Sequence, residues 1–500
     1  MAGYPHCYRT VRSQTKTTNS VYGEFFEAAQ ALKIKIQPEL LKILQYVDSN
    51  RNKFYNDLKD AVKIKSITTE LKYLEEVKKM HDFVENWLLK LELKYECFNI
   101  GYYEVEGKRL KIPTIILAFL KTSPDKKTIC VYLHLDVPKP DEKKWDSDPW
   151  TLTNIDKKIY GCGTSCGKGP MMSWFHAIEA FKKCNLEFPV NLRFVIESMH
   201  HEHSLGFAEF IEARMQDLFT GIDCVVACDG EWLGEKQPCI IYGAAGILHY
   251  EMRIEKKEGT KTDIKEDMET IFNTIVDAEG NVLIKYFNDY VIPVSPDEEL
   301  MYESIKDFDL EDIRDSLPPY KRSWDKVKLL MSFWRMPSIY VDEIQECICD
   351  KKDTSIVKRH FLLKIVPKQI VSTVDSQLRK HLQNTLKDLS IENKVTLKLI
   401  NSVRPWLEDF RTPHFKAAND AVIQIYKEKA NMIREDSGRE SVTIFNTFLE
   451  KPILVLPLCN KSANPGEDNE NISFRDYYEG TKLIAAFLYQ YSDMKVKNQN

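Results

Sequence analysis

No apolar run in this sequence approaches the ~20 residues that a helix needs to cross a bilayer; Thr114-Ile-Ile-Leu-Ala-Phe-Leu is among the longest. No membrane partner is therefore expected. Neither sign of charge dominates: 70 Lys and Arg stand against 75 Asp and Glu, a net charge of -5. That balance lacks the basic footprint of a nucleic-acid binder. The start, Met-Ala-Gly-Tyr-Pro-His-Cys-Tyr-Arg, has no apolar signal-peptide core, so a cytoplasmic location is the expectation. Twelve cysteines spread over 500 residues make no compact disulfide framework. Several, such as Cys130, Cys224 and Cys228, sit in apolar stretches and are expected to be buried free thiols. Internal repeats and low-complexity arrays are also missing, and no histidine follows His414.

What is present is ordinary globular material. The chain is 43% hydrophobic and 29% charged, enough for a large core, and its length predicts two or three domains. Residues 1–35, Ser/Thr-rich and basic, read as a mobile tail. Helical periodicity follows in Asp48–Leu93. From Ile115 to Asp229 apolar strands alternate with helices, which predicts a largely parallel sheet. From Ile247 the pattern shifts. His249-Tyr-Glu-Met-Arg-Ile alternates as a half-buried strand, Asp263–Val276 is helical, and His360–Pro367 and Val395–Ile400 flank a helix over Val371–Leu386. The helix Phe415–Lys429, the strand Pro452–Pro457 and the helix Glu479–Tyr491 close the chain.

The first chemical signal is Leu133-His-Leu-Asp-Val137, at the end of the apolar run Thr128-Ile-Cys-Val-Tyr. A His-x-Asp pair at the carboxyl end of a buried strand suits a metal ligand and the carboxylate that orients its ring. Alone it is more often a satisfied strand-end pair. Further stretches follow in order: Trp145-Asp-Ser-Asp-Pro-Trp, Gly161-Cys-Gly-Thr-Ser-Cys-Gly-Lys-Gly-Pro170, Met199-His-His-Glu-His-Ser, Asp229-Gly-Glu-Trp, Phe333-Trp-Arg-Met-Pro-Ser and Tyr478-Glu-Gly-Thr-Lys.

This order and spacing, from about Pro38 to Tyr491, closely resembles the two-metal exopeptidase family that contains carnosine dipeptidase and cytosolic nonspecific dipeptidase. The resemblance implies an α/β fold: a mostly parallel sheet flanked by helices, as in zinc exopeptidases, with an inserted α+β lid and dimerisation domain. The implied division is a discontinuous catalytic domain, 36–246 and 405–495, with the lid at 247–404. The implied assembly is a homodimer, or a heterodimer with an active relative, through the lid.

Carried over residue by residue, the resemblance makes His134 a metal ligand, Asp136 its supporting carboxylate and Asp229 a further ligand. Four other positions depart from the family. The bridging Asp falls on Cys166, the general-base Glu on His200, the second-metal Glu on His201, and a C-terminal His ligand on Gly466. The segment Glu255–Lys261 lacks the His that the family's lid places over the active site. A substrate-binding Arg falls on Lys364, which keeps the charge but not the bidentate fork. The glycine-rich loop after that Arg is changed to Arg434-Glu-Asp-Ser-Gly-Arg-Glu.

Two-metal hydrolases use both ions and a carboxylate base, so these changes imply an inactive or strongly impaired dipeptidase paralogue acting by binding or hetero-oligomerisation. The alternative is an active dipeptidase or carboxypeptidase-type hydrolase built on one rearranged zinc. Its ligands would be His134, Cys166, Asp229 and His201, with His200 or Glu202 as base. A two-metal centre is not expected. Simpler readings stand beside these. His200–His203 reads also as a solvated loop. Cys166 reads as an inert small residue opening a helix, or as a reactive thiol at a helix N-terminus with His200 or His201 as partner.

Overall fold

The computed structural model describes residues 37–315, 317–349 and 354–494; the tail expected at 1–35 lies outside them. Nine strands form the main sheet among these residues. Eight follow one another in space as Lys94–Phe98, Ile115–Leu120, Asn191–Glu197, Thr128–His134, Cys224–Ala227, Ile453–Val455, Cys239–Ala244 and Trp406–Leu407, and Asn431–Glu435 also pairs with Cys239–Ala244. The four central strands, from Asn191–Glu197 to Ile453–Val455, are mutually parallel. Antiparallel pairs stand at both margins. The parallel run predicted from strand–helix alternation is thus the middle of a mixed sheet.

Those central strands are buried along almost their whole length, as Val, Ile and Tyr between two helical layers require. The helices Pro38–Ser49, Lys168–Lys183, Pro413–Tyr426 and Phe474–Asp493 contribute to one continuous core with them. Lys168–Lys183 is buried on every side from Lys168 to Phe181, so it is a helix of the interior. Among the described residues no helix is long and apolar enough to cross a membrane. Cys130, Cys224 and Cys228 are buried free thiols, as expected.

A second sheet carries Gly246–Glu255, flanked by Thr354–Ile365 and Lys394–Val403. Gly246–Glu255 alternates strictly between buried and half-buried positions. Leu248, Tyr250, Met252 and Ile254 form a separate core with residues of the helices Ile264–Ile275 and Val371–Asp388. The segment between these pieces packs elsewhere. Tyr302, Ile305, Leu330 and Trp334 join the first core. Glu298 ties that segment to the main sheet by accepting hydrogen bonds from Tyr242 Oη at 2.7 Å and Arg434 Nη2 at 2.6 Å.

The sheet's register fixes the functional region. His134 pairs with Glu197 in one neighbour, and Tyr132 with Ala227 in the other. Two residues beyond Ala227 is Asp229, and just beyond Glu197 comes the 3₁₀ turn His200–Glu202. His134, His200 and Asp229 therefore gather at one sheet edge, outside the carboxyl ends of parallel strands.

Candidate metal centre

His134 is fully buried. Its Nδ1 lies 3.2 Å from the Asp136 carbonyl oxygen and 3.4 Å from the Asp136 carboxylate. An N–H donated there leaves Nε2 as the ligating nitrogen. That atom sits 3.5 Å from Cys166 Sγ and 3.5 Å from Asp229 Oδ1. His200 completes the group: one ligand atom each from His134, Cys166 and His200 lies within 4.8 Å of the others. The His200 ring stacks on His134 with centroids 4.1 Å apart.

Here the structure departs from the sequence expectation. His200, expected at the base position, stands in the close trio, whereas His201 does not. His201 meets the ring of His134 edge-on at 5.3 Å, and its backbone N–H donates to Asp136 Oδ2 at 2.9 Å. Its Nε2 is buried without a hydrogen-bond partner. Both rings belong to the 3₁₀ turn His200–Glu202, which His203 and Ser204 leave with left-handed φ values of 56° and 47°. Residue spacing alone does not reveal which of two adjacent rings such a turn directs inward.

The surroundings explain how these donors could take a metal. Tyr132 Oη lies 2.8 Å from His200 Nδ1 and also donates to Glu197, to which Ser204 Oγ donates at 2.8 Å. The arrangement that satisfies both bonds has His200 Nδ1–H donating to Tyr132, leaving Nε2 with its lone pair. Burial pulls the His200 imidazole down to about 3 and pushes the Glu197 carboxyl up to about 8. Burial works against charge on His134 too, but Cys166 and Asp229 outweigh it and raise its pKa well above the imidazole range. Burial also raises the Cys166 thiol, with His134 opposing. The Asp229 carboxyl is held below its usual range by His134 despite burial.

Cys166 owes its place to two residues whose role the sequence did not reveal. Gly167 has φ +80°, and a Cβ there would come within 2.7 Å of His134 Cε1. Glu470, fully buried, accepts hydrogen bonds from Gly163 N at 2.6 Å, Ser165 N at 2.9 Å, Ser165 Oγ at 2.9 Å and Cys166 N at 2.8 Å. A carboxylate accepting several N–H bonds fixes a loop firmly. The available signal was a buried acid beside the aligned Gly466.

Among the described residues, His134, Cys166 and His200 form a candidate metal-ligand group. Two imidazoles and a thiol, with the Asp229 carboxylate 3.5 Å from His134 Nε2, are donor types that suit zinc. At the positions where the resemblance implies ligands of a second ion, His201 offers an imidazole and Gly466 no side chain. Gly466 does face the site, for a Cβ built there would lie 3.7 Å from His201 Cε1, but glycine brings no ligand.

Beyond the centre lies a cavity of about 1190 Å³. Gly230 and Glu231, which follow Asp229, and Asn464 and Pro465, which precede Gly466, line it. Lys364 is not among its lining residues. Its buried Nζ donates to the carbonyls of Phe333 at 2.8 Å and Ser332 at 3.3 Å, and burial lowers its pKa to about 8.

Residues 130–490 match the sequence model of Peptidase family M20/M25/M40. Over 476 residues, 91% of this chain and 94% of the relative, the sequence is 29% identical to the Beta-Ala-His dipeptidase of Homo sapiens. It is 28% identical over 465 residues to the Cys-Gly metallodipeptidase dug1 of Schizosaccharomyces pombe, covering 90% and 98% of the two chains. The structure of human carnosine dipeptidase 1 superposes with a TM-score of 0.81 at 28% identity, covering 92% of this chain and 100% of that one. An M20 family metallo-carboxypeptidase from Sulfolobus solfataricus, at 20% identity, shares the fold with a TM-score of 0.73 over 92% of this chain and 100% of its own.

Proposed function

The chain belongs to peptidase family M20/M25/M40, and from that premise we propose that it is a dipeptidase-type metallopeptidase homologue whose centre holds one zinc and whose hydrolysis is lost or strongly reduced. The observation that carries this reading is the position of His200. Where the resemblance calls for a carboxylate base, the chain supplies an imidazole packed face to face on His134, held by Tyr132 and within the ligand trio. A ligand cannot at the same time shuttle the proton of an attacking water. General-base loss alone costs ~10²–10⁴ in rate.

His134, Cys166 and His200 would hold the ion, with Asp229 as the adjacent fourth donor. A bound zinc would polarise a carbonyl or an attacking water. Around it, Asp136 orients His134, Tyr132 orients His200, and Glu470 holds the loop that presents Cys166. The chain then acts by binding a peptide-like ligand, such as the Beta-Ala-His or Cys-Gly dipeptides named for its relatives, rather than by turning it over. Buried free thiols support a reducing, cytoplasmic setting. Assembly through the lid, with a second copy or an active relative, is supported by the strand Lys394–Val403. It forms an edge of the lid sheet and pairs only with Gly246–Glu255 among the described strands.

The test is hydrolysis of Beta-Ala-His and Cys-Gly by metal-free protein reloaded with zinc or manganese. Turnover at or near background supports the reading. Turnover abolished by His134→Ala would overturn it in favour of a one-zinc hydrolase, with Glu202 as the candidate base.

A further inference from the structure

The cavity that opens beside the centre is also lined by Tyr320, Lys321, Trp324 and Phe333. Lys321 Nζ lies 5.9 Å from the Tyr320 ring centroid, 5.6 Å from Trp324 and 5.8 Å from Phe333. Aromatic faces attract a cation but do not neutralise it. Among the described residues Lys321 has no ion-pair or side-chain hydrogen-bond partner. A half-buried ammonium with three unspent donors thus stands in the wall of a cleft whose lining includes Gly230, the residue after Asp229. Lys364, the cation that sequence alignment offers for this task, has turned inward to the carbonyls of Ser332 and Phe333.

We propose that Lys321, in place of Lys364, receives the carboxylate of a peptide-like ligand in this cleft. The inference rests on the functional reading above and adds the residue that selects the ligand's acidic end. The flat rings around Lys321 exclude water on several sides, so a carboxylate reaching it makes a charge-assisted hydrogen bond in a partly desolvated setting. The same rings suit an apolar or aromatic side chain next to that carboxylate. Asp436 lines the same cavity and its charge acts on both Lys321 and Lys364. It repels an incoming carboxylate, so it sets the affinity in the opposite direction.

The experiment is isothermal titration calorimetry on the full-length, zinc-loaded protein with two probes, the dipeptide Ala-Phe and its C-terminal amide. The wild type should prefer the acid. Lys321→Met should weaken Ala-Phe by ~10-fold or more, the scale of a hydrogen bond to a charged group, and remove the acid–amide preference. Lys321→Arg should keep most of that preference, and Asp436→Asn should tighten Ala-Phe a few-fold. Equal binding of acid and amide by the wild type would overturn the proposal. So would a Lys321→Met variant indistinguishable from it, or a preference removed by folded Lys364→Met but not by Lys321→Met. Chromatography of the cell contents separates the two readings, because cleavage of Ala-Phe counts against the loss of hydrolysis and not against the role of Lys321.

Discussion

The two halves of the centre have different origins in the fold. His134 ends a parallel strand whose register is fixed, and Asp136 and Asp229 lie two residues past such strand ends. Cys166, His200, His201 and Gly466 stand on connecting segments, and these are the positions at which the resemblance is broken. A strand end cannot change its direction without disturbing a buried sheet, whereas a loop can change its donor and keep its path. The loop at Cys166 shows this directly: four hydrogen bonds to Glu470 hold its path, while its side chain offers sulfur instead of a bridging carboxylate. The donor at this position differs from the one that the resemblance implies, while the loop that presents it is held in place.

The largest effect should come from erasing that difference. The variant Cys166→Asp/His200→Glu/His201→Glu/Gly466→His restores every family donor. It is expected to bind a second metal and to gain ~10²-fold or more in dipeptide turnover, the scale of regaining a base. Metal content and initial rates check both; one metal and no gain would mean that the loops no longer hold two-metal geometry. Next, His134→Ala should lose the ion, and Cys166→Ser should shift the remaining affinity away from zinc, as read by equilibrium dialysis. Glu470→Gln keeps the shape of the brace but not its charge, and should weaken zinc by ~10–100-fold, the scale of partners that orient ligands.

Acidity sharpens the same contrast. Zinc must displace protons from Cys166 and from His134, both of which hold theirs above the usual range. His200, lowered to about 3, holds none near neutrality. At least one proton is therefore released per ion bound, and affinity should fall ~10-fold or more for each pH unit lost below neutrality. A pH-independent affinity would contradict that assignment. The smallest effect concerns stability. Glu197 is raised to about 8 in the folded chain, above the ~4.3 of an ordinary glutamate. Its contribution is fully present below that ordinary value and is lost as pH rises toward 8. Thermal melts of Glu197→Gln should show a flatter decline across that window than the wild type.

Particular residues show what could be read in advance. The His-x-Asp pair, Asp229 and the alternation of strands and helices were legible because strand ends and apolar periodicity are local. The choice between His200 and His201 was not, because spacing does not tell which of two adjacent rings in a 3₁₀ turn lies against His134. Glu470 was invisible in its role because it acts across 304 residues of sequence on Cys166 N. Lys364 aligned as a ligand-facing cation, yet the fold offered it two buried carbonyls. The segment that contains Tyr302 and Trp334 lies within residues 247–404, the span expected for a lid, but packs into the main core, since its apolar side chains and Glu298 find partners there.

The central claim is that one ion, and not two, is held by His134, Cys166 and His200. Inductively coupled plasma mass spectrometry of untagged protein purified without chelators tests it most directly, beside His134→Ala and His201→Ala. The account predicts about one zinc per chain, lost in the first variant and kept in the second. Two ions per chain, or none in any of the three proteins, would contradict it.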